Sequence, residues 1–133
     1  MKNSHNVVVN HTNIYGTYRN GIVIRGSTNL ILHHNLVMHN KKRAWDSSIK
    51  LKDFQTAVDI CVGEQNTKCH NFTVTNNILT GGPGIGFTAP VQKCGTDQLS
   101  FFLDNVVHTY EAGLIAHIDS VQGGGGCANL TRF

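Results

Sequence analysis

The sequence predicts an all-β chain: a right-handed, single-stranded parallel β-helix of about four coils, with a long loop inserted in the second. Three observations carry this reading. A four-residue phrase recurs at Asn35-Leu36-Val37-Met38, Asn77-Ile78-Leu79-Thr80 and Asn105-Val106-Val107-His108, preceded by a looser Thr12-Asn13-Ile14-Tyr15. Each copy follows a period-2 apolar run (Val7/Val9, Leu30/Leu32, Phe72/Val74) or a single Phe102. Each is followed by a small residue with apolar neighbours: Gly21-Ile22-Val23-Ile24, Ala57-Val58-Asp59-Ile60, Gly84-Ile85-Gly86-Phe87 and Gly113-Leu114-Ile115-Ala116. Short strands repeating every twenty-odd residues, with no helical period between them, read as a solenoid that stacks strand on strand. The right hand follows the general rule for parallel crossovers.

Taken in order, the first strand of every coil alternates. Alternation places Val9, Leu32, Val74 and Phe102 in one internal column and Ile14, Val37, Leu79 and Val107, from the second strands, in another. A slip of one residue would turn His33, Thr75 and Leu103 inward, so burial sets the register. Between these two strands the chain needs a sharp corner, and Asn both tolerates the left-handed region and bonds its own backbone. Asn35, Asn77 and Asn105 are therefore expected to stack as an internal ladder that also satisfies turn backbone groups; in the first coil the slot falls to Thr12 or Asn13. The repeat separations are 23 residues from Thr12 to Asn35, 42 from Asn35 to Asn77 and 28 from Asn77 to Asn105. The long one assigns an insertion to about residues 40–56, with Lys41-Lys42-Arg43 solvated and Trp45 and Phe54 expected to fold it back against the coil. Gly81-Gly82-Pro83-Gly84 and the run Gly123 to Gly126 open no helix and read as turns rather than phosphate-binding loops.

The chain has 133 residues, 40% of them apolar and 14% charged, with a formal charge of +3, which is the composition of a folded protein. The weak charge, and a basic cluster without interleaved aromatics, argue against nucleic acid as a partner. No apolar stretch reaches the length of a membrane span, so no membrane insertion is expected within the segment, and the first residues do not resemble a secretion signal. Two other features point outside the cell. The sequons Asn10-His11-Thr12, Asn71-Phe72-Thr73 and Asn129-Leu130-Thr131 make Asn10, Asn71 and Asn129 glycosylation sites, with N-linked glycans as attached groups. The even set Cys61, Cys69, Cys94 and Cys127 reads as disulfides. Four cysteines allow three connectivities, and the close spacing of Cys61 and Cys69 favours a bridge there, leaving Cys94 with Cys127.

Catalytic and metal sites are not expected, nor any cofactor. Hydrolysis of a polysaccharide needs clustered carboxylates, and lyase chemistry needs acidic calcium ligands beside a base. The best set available is Asp59, His117 and Asp119 on one outer face, with the two aspartates two coils apart. Asp104 precedes the corner Asn105, where a turn hydrogen bond is the ordinary explanation. His33, His34, His39, His108 and His117 could approach one another across coils, yet the places of His33 and His34 hold Thr75, Asn76, Leu103 and Asp104 elsewhere, so no ligand column persists.

The run Asn20 to Leu30, then His34-Asn35-Leu36-Val37, Ala57 to Ile60, Asn76-Asn77-Ile78-Leu79, Gly84 to Phe87, Cys94, Phe102 to His108, Gly113 to Ala116 and Cys127 resembles the parallel β-helix repeats of fibrocystin and fibrocystin-like proteins. The resemblance covers the chain from about residue 6 onward and supports the right-handed coil. It implies one β-helix segment, residues 1–133, that is a fragment of a very large extracellular or cell-surface glycoprotein of the kind associated with cilia and surface coats. Members of that family carry a signal peptide, a membrane anchor and immunoglobulin-like repeats, none of which is recognised in these residues. The expected role is structural: a rigid surface for assembly or adhesion, with neighbouring domains of the same polypeptide, or other copies in a filament, as partners. Related hyaluronan-degrading proteins of the cell surface share the repeat, so a carbohydrate-binding or polysaccharide-degrading protein is the alternative.

Overall fold

The fold was determined as a computed structural model that describes residues 4–18, 20–38, 56–60, 70–82, 84–90, 100–117 and 131–132. These residues hold thirteen strands and no helix. The first coil comprises β1 (Val8–Asn10), β2 (Asn13–Tyr15) and β3 (Ile22–Ile24), and the second β4 (Thr28–His33), β5 (Leu36–Met38) and β6 (Thr56–Ile60). The third comprises β7 (His70–Thr75), β8 (Ile78–Thr80) and β9 (Ile85–Pro90); the fourth β10 (Ser100–Leu103), β11 (Val106–His108) and β12 (Ala112–His117). A two-residue β13 (Thr131–Arg132) pairs with β10. Three parallel sheets run along the axis in the orders β1-β4-β7-β10-β13, β2-β5-β8-β11 and β3-β6-β9-β12. The chain is a parallel β-helix.

Its core is built from the two columns anticipated above and a third. Val9, Leu32, Val74 and Phe102 are in register across the first sheet. Ile14, Val37, Leu79 and Val107 are in register across the second. From the third sheet come Ile22, Val58, Phe87 and Leu114, beside Ile24 and Ile60. Phe102 bridges the sheets: its ring meets Phe72 and Phe87 edge-on, each at 5.7 Å between centroids. Such pairs add to the roughly 1.5–3 kcal/mol that burying each large apolar side chain contributes. Between β5 and β6 the chain is longer than in any other coil, and Trp45 and Phe54 of that stretch lie outside the described residues. Thr56, at its assigned end, opens β6 and is buried.

One phrase aligns differently from its reading in the sequence. The register sets Thr56 against Ile85 and Val58 against Phe87, so Gly86, not Gly84, shares the place of Ala57. Gly113 follows in the next coil, between the pairs Ala112 with Ile85 and Leu114 with Phe87. Space decides the shift. A Cβ on Gly86 would stand 2.5 Å from Val107 Cγ1 and 2.7 Å from the Gly113 carbonyl oxygen. Gly84 serves the turn instead: its φ is +83°, and its carbonyl accepts the amides of Glu111 and Ala112.

Gly86→Ala should therefore destabilise the protein by about 1–3 kcal/mol in urea unfolding, as overpacking does. Gly113→Ala should cost less, because its added methyl meets only Val107 Cβ, at 3.9 Å.

Candidate functional site

The most ordered polar feature is the corner between the first and second strands. Asn35 Nδ2 donates to Asn77 Oδ1 at 3.0 Å, and Asn77 Nδ2 donates to Asn105 Oδ1 at 2.9 Å. The same oxygens also accept backbone amides one coil back: Asn35 N to Asn77 Oδ1 and Asn77 N to Asn105 Oδ1, both at 3.0 Å. Thr12 N donates to Asn35 Oδ1 at 3.1 Å, so Thr12 rather than Asn13 holds the slot in the first coil. Nδ2 of Asn35, Asn77 and Asn105 also reaches the carbonyls of Val9, Leu32 and Val74, members of the first column one coil back. Asn35 and Asn77 are buried.

The left-handed backbone lies one residue earlier than the sequence reading placed it. The positive φ values belong to His11 (48°), His34 (52°), Asn76 (55°) and Asp104 (56°). The reversal is made by the exposed residue, which frees the following Asn to turn its amide over the buried corner. Asp104 thus makes the turn itself.

A second ladder went unread. Asn71 Nδ2 donates to Asn29 Oδ1 and Asn29 Nδ2 to Asn6 Oδ1, both at 2.8 Å, near the starts of the first-sheet strands. All three residues are left-handed, with φ of 52°, 53° and 55°. The signal was present: Asn6, Asn29 and Asn71 are separated by 23 and 42 residues, the spacing of Thr12, Asn35 and Asn77.

The exposed side of the corner carries three imidazoles. Ring centroids of His33 and His34 are 3.9 Å apart, those of His11 and His34 5.0 Å, and those of His11 and His33 6.3 Å. Desolvation, then the charges of His33 and His11, hold the His34 pKa below the usual histidine value. Among the described residues no three His, Cys, Asp or Glu side chains are arranged to hold a metal ion.

Of the acid/base set weighed above, Asp59 alone has a described side chain. Asp59 is buried on β6, where Oδ2 accepts Arg25 Nη2 at 2.7 Å and Oδ1 accepts the Thr88 hydroxyl at 3.1 Å. Arg25 was not singled out in the sequence, because its pairing depends on the third-sheet register across the insertion. Asp59 aligns with Thr88 and Thr88 with Ile115, so His117 lies two coils away and two residues further along. Two coils set the backbones about 10 Å apart. Asp119 lies outside the described residues.

Of the sequon asparagines, Asn10 ends β1 with an exposed side chain, its carbonyl accepting the Thr12 hydroxyl at 3.1 Å. Asn71 is half-buried in the outer ladder. Asn129 and all four cysteines, Cys61, Cys69, Cys94 and Cys127, lie outside the described residues. No helix among the described residues is long and apolar enough to cross a membrane.

Comparison with known proteins adds one likeness. The chain is 25% identical over 130 residues to fibrocystin of Canis lupus familiaris, covering 98% of this chain and 3% of that protein. This is similarity to a short stretch of a far longer molecule and supports a fibrocystin-like relationship. No family model matches the sequence, and no solved structure matches it.

Asn77→Ala removes the central rung and leaves the Asn35 backbone N–H and one Asn35 Nδ2 hydrogen without their acceptor, at about 1–3 kcal/mol each. Chemical denaturation should show a loss of about 3 kcal/mol or more. Asn105→Ala, at a less buried rung with one coil to serve, should cost less.

Proposed function

We propose that the chain is a structural and interaction segment of a large extracellular or ciliary-surface glycoprotein, presenting a rigid β-helix surface for assembly or adhesion. One observation carries the reading: side-chain ladders tie the first three coils to one another along two corners, and the inner one continues to the fourth, in a chain similar to a short stretch of fibrocystin. The described polar clusters are engaged in holding the coils together. Asp59, the carboxylate of most catalytic interest, is held by Arg25 and Thr88. These contacts support a non-catalytic role, and the partners in this reading are adjacent domains of the same polypeptide or other copies in a filament. Asn10, exposed at a strand end, is well placed to carry an N-linked glycan.

A second reading, carbohydrate binding or cleavage, draws on Tyr15 and Tyr18 of the first coil, which are 69% and 55% exposed. Aromatic faces open to solvent can stack on sugar rings. Binding of hyaluronan oligosaccharides that is abolished in a Tyr15→Ala/Tyr18→Ala variant would favour this reading over the structural one.

The test of the first reading is intact mass and non-reduced peptide mapping of native material, with and without enzymatic removal of glycans. The expected result is a glycan on Asn10, with or without others on Asn71 and Asn129, and bridges Cys61–Cys69 and Cys94–Cys127. Unmodified asparagines together with four free thiols would place the protein inside the cell and overturn the assignment.

A further inference from the structure

The seam between the first and second coils differs from the later ones in what lines it. At the left-handed corner it brings His11 from the first coil against His33 and His34 from the second. The next seam sets His33 and His34 against Thr75 and Asn76, and the one after sets those against Leu103 and Asp104. Among the described residues at this corner, the first seam alone has imidazoles on both sides.

We propose that this three-imidazole cluster makes the seam between the first and second coils open at acidic pH while the remaining coils stay joined. The rings pack against one another, edge-on for His33 with His34. On acidification they become cations within 3.9–6.3 Å of one another. Among the described residues, no carboxylate faces them from the elements packed around the corner. The first-coil corner offers Asn10 and Thr12, the second Asn35 and the third Thr75 and Asn76. Asp104 stands two coils beyond His34, about 10 Å along the column. Thr75 Oγ1 lies 2.7 Å from His33 Nδ1 and can accept a hydrogen bond from it, but it carries no charge to offset the cluster.

The repulsion acts directly on the bonds that hold the coils together. His11 N donates to the His33 carbonyl at 3.2 Å, Thr12 N to Asn35 Oδ1 at 3.1 Å and Leu36 N to the Thr12 carbonyl at 2.9 Å. Two of the three histidines also occupy left-handed backbone, a conformation that costs a non-glycine residue free energy even before charging. The direction of the titration agrees. For His34 a folded-state pKa below the unfolded one means that the unfolded chain binds more protons, so the stabilising contribution is full above the ordinary histidine value and is lost as pH falls from there through the lowered folded-state value.

The experiment is amide hydrogen exchange of the whole chain at pH 7.5 and pH 5.5, corrected for intrinsic rates, with His34→Asn beside the wild type. Asn tolerates the left-handed position and fills it in the next coil at Asn76, so the variant should fold. In the wild type the protection of the Ile31 and Leu36 amides, which bond to Val7 and Thr12, should drop about tenfold or more at pH 5.5. Protection of the Ile78 and Val106 amides should hold. His34→Asn should remove most of the drop, whereas His108→Asn, outside the cluster, should leave it. An equal drop in all coils, or an undiminished one in His34→Asn, overturns the proposal. So does an NMR titration of the wild type in which His11, His33 and His34 protonate independently at ordinary values, a readout that stands even if the variant misfolds.

Discussion

Each coil must turn sharply between its first and second strands, and the backbone amides at that turn lie against the core, where water cannot serve them. An unpaired amide there would cost as much as a buried hydrophobic contact supplies. The chain meets this constraint with one planar group that both donates and accepts. An asparagine amide receives two bonds from the coil before it, gives one to the coil after it and gives another to a strand-end carbonyl. No other short neutral side chain does this, and a column of carboxylates at the same spacing would repel itself. The apolar columns on either side depend on this closure, since their register is carried from coil to coil through the same corner.

With the register held at the corner, the rest of each coil is free to vary in length. The ladder separations of 23, 42 and 28 residues all close onto the same strand positions. Extra chain enters between β5 and β6 without displacing Val37 from Leu79 or Val58 from Phe87. The entropy of closing a longer loop grows only with the logarithm of its length, so an insertion there is tolerated at modest cost.

Features that repeat at fixed offsets were legible in the sequence. Val9, Leu32, Val74 and Phe102 and their partners on the second strands announce themselves by alternation, and Asn35, Asn77 and Asn105 by recurrence. Features that depend on angle or on lateral register were not. Which of two adjacent corner residues goes left-handed is a backbone matter, decided at His34, Asn76 and Asp104 by the need to aim the next side chain inward. Gly84 and Gly86 look equally suited to the small-residue slot until Val107 is seen to fill the space over one of them. Arg25 and Asp59 are 34 residues apart across the insertion, so nothing local couples them. The outer ladder of Asn6, Asn29 and Asn71 is a different case, since its spacing was readable, but asparagines outside the recurrent phrase drew no notice.

The two ladders differ in direction. In the inner one each amide nitrogen points toward the following coil; in the outer one each points toward the preceding coil. Aligned amide dipoles add, as they do along an α-helix, and a single ladder would build a growing positive pole at one end of the solenoid. Two antiparallel ladders subtract. Over the three coils that both ladders span, their axial dipoles oppose one another, so stacking these coils adds little axial polarity.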